Sequence, residues 1–325
     1  MNLGVPLGLS SRLCWGAADF FGGIQSRRLP ALTVAFWSQV AGALALAAAL
    51  ATGGVRPAGP EVAWGLAAGV GSGCALVLFY RGLAEGTMSV VAPISACGAI
   101  VPVAAALLTG NQPGTVAALG VVAAITGVVL VSRPTLGPKA APPPAPAPPP
   151  TVLPDPAPAA VPGTGRPPGT PGKGGRVVAM ALGSALGFGL FYVFVDAGTA
   201  ATEGTAAAAR PSGSHGSPLW VIAGARMSSL AILSAIALVS RRSALRWPGR
   251  RIGAVALVGI GDTGANLLFA YAATTGNLAV VGVLGSLYPV ATVILARWLL
   301  GERLSGGQNA GVALALTGVG LLAAA

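Results

Sequence analysis

Ten apolar stretches, each near the length a helix needs to cross a bilayer, constrain this chain more than anything else in it. Crossing takes about 20 apolar residues at 1.5 Å of rise each. The stretches are Leu3–Ile24, Ala31–Thr52, Val62–Ala84, Met88–Thr109, Val116–Ser132, Val177–Gly198, Leu219–Ser240, Ile252–Thr274, Leu278–Leu300 and Gln308–Ala325. They are continuous rather than alternating, which predicts helices and not a barrel. Only 8% of the 325 residues are charged, 54% are hydrophobic and the mean hydropathy is +0.77. A soluble domain carries about 25% charged residues. The expectation is an all-α membrane protein with ten transmembrane helices.

Between the fifth and sixth stretches, residues 133–175 hold 16 of the 27 prolines. Such a segment has no core to bury and reads as a disordered, extended Pro/Ala/Gly-rich tether. It divides the chain into units 1–132 and 176–325, and the two units resemble each other. "GVVAAITGVVL" at Gly120–Leu130 returns as "GVALALTGVGL" at Gly311–Leu321, with seven of eleven positions identical. "GSGCALVLFYRGLAEG" at Gly71–Gly86 matches "GDTGANLLFAYAATTG" at Gly261–Gly276 more weakly, and "LLTGNQPG" at Leu107–Gly114 corresponds to "WLLGERLS" at Trp298–Ser305. Three segments in the same order mark an internal duplication. Five spans per unit make the second copy enter the membrane from the opposite face. That is an inverted repeat, an architecture that places a site near the midplane between the halves.

The net charge of +11 does not indicate nucleic acid, because the basic residues form no stripe with interleaved aromatics. They sort by side instead. Fifteen, from Arg27 and Arg28 through the Arg241–Arg251 cluster to Arg303, fall at loops of one side, against Arg56 and Arg210 on the other. The positive-inside rule then puts the 133–175 linker in the cytoplasm and both termini outside a cytoplasmic membrane. Cys14, Cys74 and Cys97 match no metal or redox spacing and read as small packing residues.

"WGAADFFGG" in span 1, "SVVAPISA" at Ser89–Ala96 and "SLYPVATVILARWLLGERLS" at Ser286–Ser305 resemble the EamA family of the drug/metabolite transporter superfamily. The resemblance runs over nearly the whole chain as two five-span units. Its most specific part is the proline-bearing ninth helix that ends in Gly-Glu-Arg. Gly110–Gln112 departs from it, carrying Gly-Asn-Gln where the first unit often repeats Gly-Glu-Arg. The resemblance implies transport of small metabolites or drugs, often export, with no shared substrate and no universal catalytic motif. It also implies cytoplasmic termini, against the charge count.

Ionisable groups inside a membrane are costly and default to functional candidates. Span 1 carries Arg12, Trp15 and Asp19 at i, i+3, i+7, on one face. Arg12 and Asp19 are about 10 Å apart along the axis, and side chains lean toward the helix N-terminus, so a direct pair is not expected. Span 8 carries Asp262, Asn266 and Phe269 as a second stripe, and span 6 carries Phe188, Tyr192 and Asp196. Pairing Gly16 with Gly189 in the repeat sets Tyr192 against Asp19. Arg226 on span 7 either holds an anionic group or neutralises Asp262, and Gln39 is a weaker polar candidate. Packing alternatives stand beside each of these: an interhelical staple for Asn266, core for Tyr192.

Pro93 and Pro289 interrupt spans 4 and 9 and are candidate kinks or hinges. Gly65, Gly69 and Gly73 form a ridge for close helix packing. Glu302 and Arg303 lie at a loop and are assigned to folding or orientation. "GIGDTG" at Gly259–Gly264 fits a dinucleotide fingerprint only as a string, since no strand precedes it.

These readings predict a secondary transporter working by alternating access, with Trp15, Asp19, Tyr192, Arg226, Asp262 and Asn266 in substrate binding or coupling. The partners expected are a small-molecule substrate, membrane lipid and, if export is proton-driven, protons carried by Asp19 or Asp262. No catalytic residue, cofactor, metal or nucleic acid is expected, and the protein would be a monomer or homodimer. One loop histidine and scattered acids supply no nucleophile–base or metal constellation for an enzyme. The alternative is a non-transporting structural or sensory membrane protein.

Overall fold

The computed structural model describes residues 4–53, 59–108, 114–132, 173–209, 218–240, 245–275 and 288–324. All regular structure among them is helical: α1 Gly4–Ser26, α2 Ala31–Gly53, α3 Pro60–Glu85, α4 Met88–Ala96, α5 Ile100–Leu108, α6 Thr115–Ser132, α7 Lys173–Ala209, α8 Pro218–Val239, α9 Ile252–Thr275, α10 Tyr288–Leu300 and α11 Gly306–Ala324, with short 3-10 turns at Cys97–Ala99 and Gly249–Arg251. Four segments among the described residues are long and apolar enough to cross a membrane: Ala31–Thr52, Pro60–Glu85, Gly174–Val195 and Leu219–Val239.

Boundaries depart from the sequence reading where composition and helix propensity diverge. The sixth apolar stretch ends at Gly198, yet α7 runs on to Ala209. The extension is Ala-rich, and alanine favours helix without needing an apolar run. The fourth stretch is continuous in sequence but breaks into α4, the turn Cys97–Ala99 and α5. Pro93 lies inside α4 and removes one backbone donor one turn before the break. The buried Cys97 thiol donates to the Pro93 carbonyl at 3.4 Å. Of the three cysteines only Cys97 is packed in the core; Cys14 is half-buried and Cys74 exposed. Pro289 is the second residue of α10, and residues 276–287, which would precede it in a longer span, lie outside the described residues.

Large apolar side chains face outward as well as inward. Leu119, Val122, Ile125 and Val129 are exposed along α6, and Leu44, Leu257 and Trp298 on α2, α9 and α10. A water-soluble monomer does not leave that much apolar surface open. The buried core around Phe20, Phe79, Leu83, Met88, Ile94 and Leu233 joins both halves of the chain.

Helix packing repeats across the halves. Taken in chain order, α1, α2, α3, α4–α5 and α6 of the first unit correspond to α7, α8, α9, α10 and α11 of the second. The contact of α1 with α9 has its counterpart in α7 with α3; α3 with α8 is matched by α9 with α2, and α4 with α7 by α10 with α1. The pairs α2–α8 and α6–α11 map onto themselves. Each half therefore packs mainly on the other.

Glycines let these pairs approach. A Cβ on Gly65 or Gly69 would collide with the carbonyl oxygen of Val221 or Ala225 on α8. On the matching pair, a Cβ on Gly259 would overlap the Ser38 carbonyl of α2. Gly259 opens the string that resembled a dinucleotide fingerprint, and it serves helix packing within α9.

The turn after α10 explains its Gly-Glu-Arg. Gly301 has φ 63°, a conformation other residues rarely adopt, and it ends the helix. Glu302 then turns toward α4, where its carboxylate accepts the Met88 and Ser89 backbone N–H groups at 3.0 and 2.9 Å. The carboxylate fills the place of a helix cap at a positive helix end. Arg27 completes the junction, pairing with Glu302 and donating to the Leu83 carbonyl at 3.4 Å near the end of α3.

Candidate functional site

A cavity of about 100 Å³ lies where α1, α2, α3, α7, α8 and α9 meet. Each helix lines it with one face. From α1 come Trp15 and Asp19, and from the matching α7 come Phe188, Phe191 and Tyr192. From α3 come Ser72 and Leu76, and from the matching α9 come Asp262 and Asn266. Gln39 enters from α2; Ile222, Ala225, Arg226 and Ser229 enter from α8. The i, i+4 spacing within these sets puts both members of a pair on one face.

Lining positions on α1 and α7, and on α3 and α9, pair up across the two halves. The alignment that pairs Gly16 with Gly189 also pairs Trp15 with Phe188 and Asp19 with Tyr192. Pairing Gly71 with Gly261 sets Ser72 against Asp262 and Leu76 against Asn266. The backbone frame is thus shared, but its side chains differ: an acid faces a phenol, and a hydroxyl faces an acid.

Arg226 is the centre of the polar wall. Its guanidinium donates to Gln39 Oε1 at 2.5 Å and forms an ion pair with Asp262. Of the two roles left open for Arg226 in the sequence, the geometry here is the neutralisation of Asp262. The Asn266 amide donates to the Asp262 backbone carbonyl at 2.7 Å, within its own helix. Ser72 and Ser229 lie 3.4 Å apart, joining α3 to α8.

Helix α1 is held in rotation by two contacts with the second half. The Ser11 hydroxyl donates to the Ala265 carbonyl at 2.8 Å, and Thr292 donates to the Gly16 carbonyl at 3.0 Å. Hydroxyl-to-carbonyl bonds of this kind hold helices together in lipid. They present Trp15 and Asp19 to the cavity. Arg12 stays outside the lining, its guanidinium carbon 4.4 Å from the centre of the Trp15 ring. Asp19 makes no hydrogen bond or ion pair among the described residues, so it is not joined to Arg12.

Trp15, Asp19, Tyr192, Arg226, Asp262 and Asn266 are brought together here; Pro93 and Pro289 are not among the lining residues. The side chains of Asp196 and Phe269 lie outside the described residues. Sequence reasoning passed over Ser72, Leu76, Phe191, Ile222, Ala225 and Ser229 as site residues. Ser72 and Leu76 were within reach, because the offset of the repeat projects Asp262 and Asn266 onto them. The others carry no signal that separates them from core.

Known proteins give the arrangement its context. A solved structure described only as "Crystal structure of protein" aligns over 98% of this chain and 95% of its own, with 16% identity and a TM-score of 0.56, a likeness of fold alone. No curated protein matches the chain. The family model of EamA-like transporters matches twice, over residues 2–133 and 175–324, so this two-repeat membrane chain belongs to the EamA-like transporter family.

Proposed function

We propose that this protein is a secondary active transporter that exports a small metabolite or drug-like molecule across the cytoplasmic membrane by alternating access. The observation that carries this reading is the cavity between the two repeats, lined in part from equivalent positions of both, on α1 and α7 and on α3 and α9. A site on a pseudo-twofold axis can be opened to either side by rocking one half against the other. Ten spans, in two inverted sets of five, provide that frame. The linker 133–175 lies in the cytoplasm with both termini outside, on the strength of the charge bias.

Asp19 is the better candidate than Asp262 for a coupling proton, since Asp262 is already engaged by Arg226. Purified protein in proteoliposomes tests both parts. Uptake or counterflow of small metabolites that depends on Trp15, Arg226 and Asp262 is the expected result. Transport that runs unchanged across a pH gradient in Asp19→Asn and Asp262→Asn protein removes proton coupling through these carboxylates. A cysteine at position 262 that aqueous reagent reaches from neither side removes the transporter reading.

A further inference from the structure

We propose that the cavity selects a small organic cation, an ammonium group on a compact apolar body, with Asp19 as its counter-ion. The proposal rests on the transporter reading and names the substrate class of the same site.

Among the described residues, three charged side chains line the cavity: two carboxylates, Asp19 and Asp262, and one guanidinium, Arg226. The guanidinium is committed on both sides, to Asp262 and to Gln39. Asp19 has no such partner among the described residues, although it is half-buried within the helix bundle. Arg12 is not among the lining residues; its guanidinium lies over the Trp15 ring.

A carboxylate withdrawn from water without a counter-charge is costly, and either a proton or an entering cation removes that cost, so the ammonium group would take the place of the coupling proton on Asp19. The remaining surface suits one as well. Phe188, Phe191 and Tyr192 line the same cavity with aromatic rings, whose faces attract ammonium groups through the ring quadrupole, while Trp15 already holds the Arg12 guanidinium over its ring. An anion would meet two carboxylates and a guanidinium already in use. A neutral molecule would leave Asp19 as it was.

Size narrows the class further. Pockets for drug-sized ligands run to about 300–1,000 Å³. The free space of about 100 Å³ here is well below that range, so the ligand is a compact amine rather than a large polycyclic drug.

The test uses full-length protein in lipid nanodiscs and three probes of one shape and different charge: isoamylammonium, isoamyl alcohol and isovalerate. Calorimetric titration should show isoamylammonium binding at least tenfold tighter than either other probe. Asp19→Asn should abolish that preference, and Asp19→Glu should keep it. Asp262→Asn releases the Arg226 guanidinium and should raise the affinity for isovalerate. Equal affinities, tighter isovalerate binding by the unaltered protein, or an ammonium preference that survives in Asp19→Asn would each overturn the proposal. The unaltered protein alone supplies the charge series, so a variant that misfolds does not remove the test. Counterflow in proteoliposomes separates this proposal from the one beneath it. Exchange of isovalerate or isoamyl alcohol without isoamylammonium overturns the cation assignment and leaves the transporter reading intact. Asp19-dependent binding of isoamylammonium with no exchange of any probe supports the cation site and sinks the transporter reading.

Discussion

Arg27 and Glu302, 275 residues apart in sequence, form an ion pair at 3.2 Å that ties the first repeat to the turn after α10. The pair is partly exposed, so its Coulomb energy alone is small. The backbone N–H groups of Met88 and Ser89 make Glu302 more than a surface charge. Glu302→Gln keeps the shape and loses the charge-assisted caps, at a cost of about 1–2 kcal/mol. Arg27→Ala should cost less, about 0.5–1 kcal/mol, because the caps remain. Thermal unfolding in detergent, followed by fluorescence, measures both. Equal effects from the two substitutions would contradict the capping role.

Arg226 and Asp262 should behave as a coupled unit. Removing one partner of a buried pair typically costs 3–5 kcal/mol. The cost here is expected at the low end, about 3 kcal/mol, because Asp262 keeps 34% of its side-chain surface open toward the cavity. Arg226→Met combined with Asp262→Asn should be less damaging than Arg226→Met alone. A double-variant cycle on melting temperature gives the coupling, and strict additivity would mean the pair carries no energy.

Gly69 and Gly253 give opposite expectations within the same class of helix. Gly69→Val forces a side chain into the Ala225 carbonyl and the Ser228 hydroxyl of α8, where overpacking costs about 1–3 kcal/mol or more. Gly253 has nothing within 4 Å of an added Cβ. Gly253→Ala should be neutral or stabilise by about 0.5–1 kcal/mol through helix propensity. Expression level and size-exclusion profile in mild detergent distinguish the two directly.

Orientation is open to a direct measurement. Thr164→Cys in a background without Cys14, Cys74 and Cys97 places one thiol in the Pro-rich linker. A membrane-impermeant maleimide should leave it unmodified in intact cells and label it in inside-out vesicles. Labelling in intact cells would reverse the topology deduced from the charge bias.

How legible all this was depends on what kind of signal each part leaves. Apolar runs and the Gly120/Gly311 duplication carry the helical class and the two-unit plan, because lipid imposes composition over whole stretches. Asp19, Arg226 and Asp262 stood out because charge in such stretches is rare. The pairing of Arg226 with Gln39 and Asp262 was not fixed by spacing, since it links three helices whose rotations depend on contacts such as Ser11 with Ala265. Phe191 and Ile222 were invisible for the opposite reason: an apolar residue on a cavity wall looks the same in sequence as one in the core. The α4–α5 break was foreshadowed by Pro93, but its position at Cys97–Ala99 follows from packing, where Gly98 lies tight against the Ala185 carbonyl of α7.

The crossed contacts between α1 and α9, α7 and α3, α3 and α8, and α9 and α2 carry a consequence for how such a chain could arise and be taken apart. A five-helix unit by itself would leave its best mating surfaces bare, so the natural partner for one unit is another of its kind. A two-chain complex of such units would bury the same faces, and joining the units in one chain raises the local concentration of one around the other without adding a contact. Two separate polypeptides, broken anywhere in the Pro-rich stretch and made in the same cell, should find each other in the bilayer and rebuild the whole.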